Sequence, residues 1–335
     1  MAVDFPKRAV HGGIGKRQQE KTRKKVLDFS ASVNPFPPAF EWHCDPDILA
    51  SYPDDTYYEL KERIAQIFHR DPEEICVGNG SVEIIRAFCA VELGCHGSKK
   101  TFFMDPPTFG EYELSARLAG GKRSAKPDTA DIHFLCNPNN PTGTLLGKDA
   151  VLARLNVVKK YGGTLFCDEA FIELSDPDES VTGIRDPHLF VLRSLTKCFS
   201  VPGIRFGYGF GNPGLIERIE TARSPWAVNS YAEAYALEAL LHMDDLADSR
   251  KHIEQERSWL EQELSAMGLA CHSSSVNYLL IDCKRDVTKL CEDLSMQDIL
   301  VRNCTSFGLP SCIRVAVRTR DENRALVEAL AACMH

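Results

Sequence analysis

The middle of the chain alternates between short apolar runs and longer amphipathic stretches. The apolar runs predict six strands, at residues 74–77, 101–104, 132–136, 164–167, 189–192 and 206–210. Apolar positions spaced three and four apart predict helices between several of them, at residues 82–92, 110–118 and 149–160. Strands that alternate with helices over so long a stretch favour an α/β fold, with a mainly parallel sheet covered by helices on both faces.

A shorter α+β pattern follows this alternation. Helix-rich sequence runs to about residue 267, and the pattern then predicts strands at 278–282, 299–302 and 313–317 and helices at 287–294 and from 321 onward. The first 45 residues have few periodic apolar positions. These changes predict an N-terminal arm over residues 1–45, a large domain over 46–235 and a small domain over 236–335.

Composition narrows the functional classes. No apolar run approaches the roughly 20 residues that cross a bilayer, and no secretory signal is recognisable, so we expect a cytoplasmic protein without a membrane partner. The net charge of -8 argues against nucleic-acid binding. The 13 cysteines include no C-x-x-C pair and the histidines no H-x-x-x-H pair. We therefore expect reduced thiols and no metal site.

The loops after the predicted strands hold the polar residues of interest. Gly78 and Gly80 precede Ser81 at the start of a predicted helix, where backbone N–H groups and the helix dipole would bind an anion. Ser81 could equally be an ordinary helix cap. The segment NPNNPTG at 137–143 presents side-chain amides, and Asp168 closes an apolar strand, where a partly buried carboxylate needs a cationic partner.

Lys197 follows the next strand, between Ser194 and Thr196 on one side and Arg205 on the other. An isolated lysine at this position would be interpreted as a surface cation. Together with Asp168 and the loop at Ser81, it completes a set that holds a phosphorylated aromatic aldehyde. The lysine forms a Schiff base, the carboxylate pairs with a ring N–H, and the hydroxyls, helix N–H groups and arginine bind the phosphate. The set predicts pyridoxal 5'-phosphate as cofactor.

The runs NPNNPTG, DEAF and SLTKCFSVPGIRFGYGF, in this order, resemble the fold-type I pyridoxal-phosphate enzymes. Within these the chain is similar to the class II aminotransferase group, which includes histidinol-phosphate aminotransferase and L-threonine-O-3-phosphate decarboxylase. The resemblance extends from residue 11 to about 330. It implies a mainly parallel, seven-stranded sheet between helices, a smaller α+β domain, and a homodimer with shared active sites.

The resemblance also implies roles for individual residues. Lys197 would be the Schiff-base lysine and Asp168 the partner of the pyridine nitrogen, while Asn140 would contact the 3'-oxygen and Phe109 would stack on the ring. The implied phosphate-binding residues are Gly80, Ser81, Val82, Ser194, Thr196 and Arg205, together with Tyr52 from the neighbouring subunit.

A phosphorylated amino acid is the implied substrate. Arg314 would bind its α-carboxylate, and Arg302 would bind its phosphate, with His11 of the arm reaching that phosphate across the dimer. Asn34 and Asn140 are also expected near the substrate.

Three features resemble the decarboxylase more than the aminotransferase, at residues 11–13, at 28–35, and at 301–307 together with 313–320. The implied reaction converts L-threonine O-3-phosphate to (R)-1-amino-2-propanol O-2-phosphate, the aminopropanol linker of cobalamin. Transamination of histidinol phosphate is the alternative, and a cofactor-binding regulator without catalysis is another.

Two features depart from the family pattern. Phe171 stands where many aminotransferases of this class have a tyrosine that binds the 3'-oxygen. The segment 120–131 is short enough to lack a strand.

Overall fold

The computed structural model describes residues 5–94 and 100–334. Its helices are α1 (Gly15–Thr22), α2 (Tyr58–Phe68), α3 (Ser81–Leu93), α4 (Glu111–Leu118), α5 (Lys148–Lys160), α6 (Leu195–Cys198), α7 (Pro213–Ala222), α8 (Ser230–Ala239), α9 (Leu246–Ala266), α10 (Thr288–Met296) and α11 (Arg320–Met334). Its strands are β1 (Leu27–Asp28), β2 (Ile75–Gly78), β3 (Thr101–Met104), β4 (Lys122–Arg123), β5 (Ile132–Cys136), β6 (Thr164–Asp168), β7 (Leu189–Arg193), β8 (Gly207–Phe210), β9 (Ala270–Cys271), β10 (Tyr278–Asp282), β11 (Ile299–Leu300), β12 (Arg302–Asn303) and β13 (Cys312–Ala316).

Seven strands form the central sheet, in the order β2-β8-β7-β6-β5-β3-β4. Strand β8 is antiparallel to both of its neighbours, and the other pairings are parallel. The predicted α/β fold with a mainly parallel sheet is therefore confirmed. Because parallel strands end at the same edge of a sheet, the loops after β5, β6 and β7 lie side by side.

Alternating side chains on each strand pack against helices on opposite faces of this sheet. In β6, Leu165 and Cys167 face the core formed with α2, α5 and α8, while Phe166 faces the core formed with α3, α4 and α7. Phe166 packs with Phe88 and Phe190, whose ring centroids lie 4.7 and 5.1 Å away. The two-residue period of a strand explains this division.

Strand β4 corrects the expectation that residues 120–131 lack a strand. Lys122 and Arg123 pair in parallel with Thr101 and Phe102 of β3 and form the seventh strand, at the sheet edge. Both side chains are exposed. A strand of two charged residues has no apolar alternation, so the sequence pattern could not reveal it.

The smaller sheet has the order β12-β13-β10-β9 and is antiparallel throughout. It packs on α9, α10 and α11. The single strand predicted at 299–302 is instead two strands, because β11 pairs with β1 of the arm while β12 pairs with β13. The arm is thus tied to the C-terminal part of the chain.

The predicted domain boundary between residues 235 and 236 falls inside α8. Residues beyond it, among them Ala239, Leu246 and Ile253, still pack in the core of the large sheet. The division into 46–235 and 236–335 stays a prediction. Parts of α8 and α9 that follow the predicted end of the large domain contribute to the core of that domain.

Within the described ranges, no helix is both long enough and apolar enough to cross a membrane. The same ranges contain no cluster of three or more His, Cys, Asp or Glu side chains arranged to hold a metal ion.

Candidate active site

A cavity of about 530 Å³ lies at the carboxyl ends of the central strands, facing the arm and the smaller sheet. The structure brings most of the predicted site residues to its wall, although they are widely separated in sequence. These residues are His11, Ser81, Val82, Phe109, Asn140, Asp168, Ser194, Thr196, Lys197, Arg205, Arg302 and Arg314. Gly80, Asn34 and Tyr52 are not part of the lining.

Lys197 lies in the short helix α6 directly after β7, and its side chain faces the cavity. Burial, and then the positive charges of Arg314 and Arg205, lower the pKa of Lys197 to about 8, although Asp168 opposes this shift. An amine with such a pKa is neutral often enough near neutral pH to act as a nucleophile.

Asp168 is the last residue of β6 and is only 4% exposed. Burial raises the pKa of its carboxyl to about 6, against the hydrogen bonds that favour the ionised form. The Tyr112 hydroxyl donates to Oδ2 at 2.6 Å, and the Ala170 N–H donates to Oδ1 at 3.0 Å. A carboxylate that is this buried is stabilised by a positively charged ligand group, such as a protonated ring nitrogen.

Tyr112 was not identified from the sequence. It lies in the first turn of α4, three residues after Phe109, where an apolar periodic position predicts only a core residue. The (i, i+3) spacing from a predicted ring-stacking residue is the one signal that could have drawn attention to it.

The loop before α3 and the Arg205 side chain form a cationic corner of the cavity. Gly80 has φ +78°, and a Cβ atom there would collide with the Arg205 guanidinium. A Cβ at Gly207 would lie 2.6 Å from the Ser81 nitrogen. The two glycines therefore allow the backbone N–H groups and the guanidinium to approach the same space.

Ser194 and Thr196 bring their hydroxyls into the same cavity, with oxygen atoms 2.9 Å apart. Among the described residues no carboxylate forms an ion pair with Arg205, whose Nη1 donates to the Pro202 carbonyl at 2.9 Å. Hydroxyls, helix N–H groups and an arginine without a counter-ion fit a phosphate group. With Lys197 and Asp168 in the same cavity, these residues fit pyridoxal 5'-phosphate.

Arg302 and Arg314 lie opposite each other in the register of β12 and β13, and both face the cavity. Both are buried, and the described residues contain no carboxylate in an ion pair with either. Burial, and then the charge of Arg314, lower the pKa of Arg302. Two adjacent arginines without counter-ions favour a ligand with two anionic groups.

Neutral contacts hold these two arginines in place. Arg314 donates to the Ser30 carbonyl at 3.0 Å and to the Asn140 side-chain oxygen, and its buried Nε has no partner in the described residues. Arg302 donates to the Val10 carbonyl at 2.8 Å and to the Ser306 hydroxyl at 2.6 Å.

Phe171 lines the cavity and packs edge-on against Tyr278, with ring centroids 5.1 Å apart. Its ring supplies no hydroxyl. The Tyr278 hydroxyl does not replace it, because it donates to the Asn139 carbonyl at 2.9 Å. Since the oxygen of the Asn140 amide accepts from Arg314, the amide's NH₂ group is the part that remains to contact a ligand.

Asn34 is placed differently from its prediction. Its side-chain nitrogen donates to the Cys198 carbonyl at 2.7 Å and to Ser249 Oγ at 3.0 Å, and its backbone N–H donates to the Lys197 carbonyl at 2.9 Å. The amide is therefore turned away from the cavity and anchors α6. This placement does not support direct contact with a substrate.

His11 and Tyr52 are the two residues that are expected to act across the predicted dimer. His11 lies at the cavity wall of its own chain, where its Nε2 is 2.7 Å from Glu111 Oε1. Its contact with a substrate phosphate across the dimer stays a prediction. Tyr52 is 78% exposed and stacks on Trp226 with a centroid distance of 4.4 Å. Its contact with a neighbouring subunit's cofactor stays a prediction.

The comparisons with known proteins agree with this geometry. Residues 25–330 match the family "Aminotransferase class I and II". A protein of Caldanaerobacter subterraneus subsp. tengcongensis, provisionally named threonine-phosphate decarboxylase, is 33% identical over 90% of this chain and 88% of its own length. Histidinol-phosphate aminotransferase of Symbiobacterium thermophilum is 32% identical over 85% of this chain and 82% of its own length.

The fold also matches solved structures. Histidinol-phosphate aminotransferase from Sinorhizobium meliloti, determined in complex with pyridoxal-5'-phosphate, superposes with a TM-score of 0.82 at 20% identity, covering 96% of this chain and 94% of that one. This likeness confirms the predicted fold. Pyridoxal phosphate is the cofactor of the family, in agreement with the cofactor predicted from the motifs. From its sequence match and its fold, the chain belongs to the class I and II aminotransferase family.

Proposed function

We propose that this protein is a pyridoxal-phosphate-dependent decarboxylase that converts L-threonine O-3-phosphate to (R)-1-amino-2-propanol O-2-phosphate, the aminopropanol linker of cobalamin. The observation that carries the proposal is the adjacent pair of buried arginines, Arg302 and Arg314, which have no counter-ion among the described residues. Threonine phosphate has both a phosphate and a carboxylate to offer them. Histidinol phosphate has only the phosphate. The similarity to the Caldanaerobacter protein supports the same choice.

The cofactor, when bound, supplies an electron sink for the bond that breaks at the substrate Cα. The residues of this chain do the rest. Arg314 would bind the α-carboxylate with its planar guanidinium, and Arg302 would hold the phosphate. These two contacts would fix the orientation of the substrate in the cavity, and that orientation would decide which bond at Cα breaks.

Lys197 and Asp168 have complementary roles. Asp168, as a buried carboxylate, would keep a proton on the ring nitrogen, which favours electron flow toward the ring. Lys197 would hold the cofactor in the resting protein and would be available as a free amine once the substrate amine is bound in its place. Loss of CO₂ leaves Cα one proton short, and the Lys197 ammonium would supply that proton, so that the carboxylate carbon is replaced by hydrogen.

Transamination is the second candidate function, and two observations favour it. Histidinol-phosphate aminotransferase of Symbiobacterium thermophilum is almost as similar to the chain as the Caldanaerobacter protein is. Glutamate, a common amino donor, has two carboxylates that would also fit Arg302 and Arg314. In that reaction Lys197 would remove a proton from Cα instead of delivering one.

The two functions differ in a directly measurable product. The cofactor-loaded protein is incubated with L-threonine O-3-phosphate, and in parallel with histidinol phosphate and 2-oxoglutarate, with Lys197→Ala as control. We expect CO₂ release in step with aminopropanol phosphate formation, and no glutamate. Glutamate formation without CO₂ would reject the decarboxylase and establish the aminotransferase.

A further inference from the structure

Asp168 is held by a residue that lies outside the sequence motifs. The hydroxyl of Tyr112 donates to Asp168 Oδ2 at 2.6 Å, a short distance expected for a hydrogen bond to a charged oxygen. Tyr112 is fully buried and Asp168 nearly so. Water therefore does not compete for this hydrogen bond. Loss of the Tyr112 hydroxyl would leave Asp168 Oδ2 without that donor.

Aromatic packing fixes the Tyr112 ring. It stacks on Phe134, with centroids 5.1 Å apart and planes 4° apart, and meets Phe109 edge-on at 5.5 Å. The hydroxyl consequently points to Asp168 from a rigid platform. With Oδ2 bonded to Tyr112 and Oδ1 to the Ala170 N–H, each carboxylate oxygen keeps acceptor capacity for a further donor.

The other charged and titratable groups near Asp168 explain why this donor matters. Burial is the main cause that raises the pKa of Asp168, and the charge of Glu169 adds to it, while the hydrogen bonds from Tyr112 and Ala170 and the charge of Lys197 lower it. The Cys136 thiol and the Tyr278 hydroxyl interact electrostatically with Asp168 and supply no positive charge. Arg193 forms its ion pair with Glu169, at 2.7 Å, and not with Asp168. The Tyr112 bond is therefore a principal stabiliser of the ionised form.

We propose that Tyr112 is a positioning residue for the cofactor. The Tyr112 hydroxyl orients the Asp168 carboxylate toward the ring nitrogen and keeps that carboxylate ionised. This inference rests on the cofactor site described under the proposed function. It does not depend on whether the reaction is decarboxylation or transamination.

The test is the affinity of the cofactor-free protein for pyridoxal phosphate, measured by absorbance titration in Tyr112→Phe. Phenylalanine keeps the stacking ring and removes only the hydroxyl. We expect binding to weaken about tenfold or more, the effect of losing a hydrogen bond to a charged group. Tyr57→Phe is the matched control, because the Tyr57 hydroxyl is also buried and hydrogen-bonded, at 3.0 Å from the Val228 nitrogen, but lies outside the cavity lining.

A double-mutant cycle separates this role from simple packing. In an Asp168→Asn background the Tyr112→Phe change should cost much less than in the wild-type background, because the charge that the hydroxyl serves is gone. Tyr112→His, which restores an N–H donor on a smaller ring, is expected to recover part of the affinity. Thermal unfolding of each cofactor-free variant shows that the fold is retained.

Two outcomes would overturn the inference. Tyr112→Phe could bind the cofactor as tightly as Tyr57→Phe, or its effect could simply add to that of Asp168→Asn. Either result would leave the cofactor site and the proposed function intact. A wild-type protein that binds no pyridoxal phosphate would reject the cofactor site itself, and this inference with it.

Discussion

At the scale of single residues, the site depends on Asp168 and Lys197, whose pKa values are shifted in opposite directions. Burial raises the pKa of Asp168 to about 6 and lowers that of Lys197 to about 8, which brings both close to neutral pH. A bound cofactor would match both groups, because its protonated ring nitrogen would pair with Asp168 and its aldehyde would react with the neutral amine of Lys197.

The Lys197 shift predicts how cofactor capture depends on pH. Only the neutral amine adds to the aldehyde, so the rate of adduct formation should rise with pH and reach half its limit at about 8. Removing a nearby positive charge with Arg314→Gln should move this midpoint to higher pH. Stopped-flow absorbance of the cofactor-free protein measures both. A midpoint at the ordinary lysine value of 10.5 would contradict the burial and charge assigned to this amine.

Gly80 gives a second prediction at this scale. Gly80→Ala places a methyl group against the Arg205 guanidinium, so that Arg205 must leave the cationic corner of the cavity. Pyridoxal-phosphate binding should therefore weaken at least tenfold. Gly120→Ala is the control, since Gly120 has φ +87° and nothing within 4 Å of the added methyl. It should cost about 1 kcal/mol of stability through its backbone conformation alone and leave binding unchanged. Equal binding by the two variants would reject the proposed corner.

Among the elements, the short helix α6 shows how the chain holds its reactive lysine. It has only four residues, and Asn34 holds it by donating hydrogen bonds to the carbonyls of Lys197 and Cys198. The N-terminal segment thereby positions a residue that follows it by more than 160 positions in sequence. Four residues cannot form a stable helix by themselves, so this support is structurally necessary.

Asn34→Ala tests this support. The change leaves the Cys198 carbonyl unpaired and should lower the free energy of unfolding by about 1–3 kcal/mol. The substrate KM should stay within twofold, because the amide does not line the cavity. Urea unfolding and steady-state kinetics measure the two effects. A raised KM at unchanged stability would instead support the direct substrate contact expected from the sequence resemblance.

The limits of sequence interpretation also lie at the scale of elements. Most of the strands and helices whose bounds the sequence predicts lie within two residues of those bounds, because each buries a periodic apolar face. Helices α2 and α7 were not predicted. Strand β4 and the division of the strand predicted at 299–302 into β11 and β12 were not predicted, because two-residue strands carry no period and depend on their partners. For the same reason, most of the residues that the motifs identified lie on the cavity wall, while Tyr112 and the true contacts of Asn34 depend on distant segments that sequence spacing does not reveal.

For the whole molecule, the site lies between the seven-stranded and the four-stranded sheet. The large sheet and its loops contribute Lys197 and Asp168, and the small sheet contributes Arg302 and Arg314. The arm joins them, since Val10 accepts from Arg302 and β1 pairs with β11. The reactive groups and the groups that would select the substrate thus come from separate parts of the fold.

The predicted homodimer can be tested by mixing two inactive variants. If Tyr52 serves the neighbouring subunit, a dimer of one Lys197→Ala chain and one Tyr52→Ala chain contains one intact site. Equal mixing after denaturation and refolding should then restore about a quarter of the wild-type activity, given random pairing into two-fold dimers. Mixed chains as inactive as the separate variants would show that Tyr52 does not act across the dimer.

The most direct test of the account is to locate the cofactor chemically. The cofactor-loaded protein is reduced with borohydride, digested, and its peptides are analysed by mass spectrometry, with Lys197→Ala treated in parallel. The account predicts a phosphopyridoxyl group on Lys197 in the wild type and none in the variant. Its absence from Lys197, or its presence on another lysine in both proteins, would contradict the account.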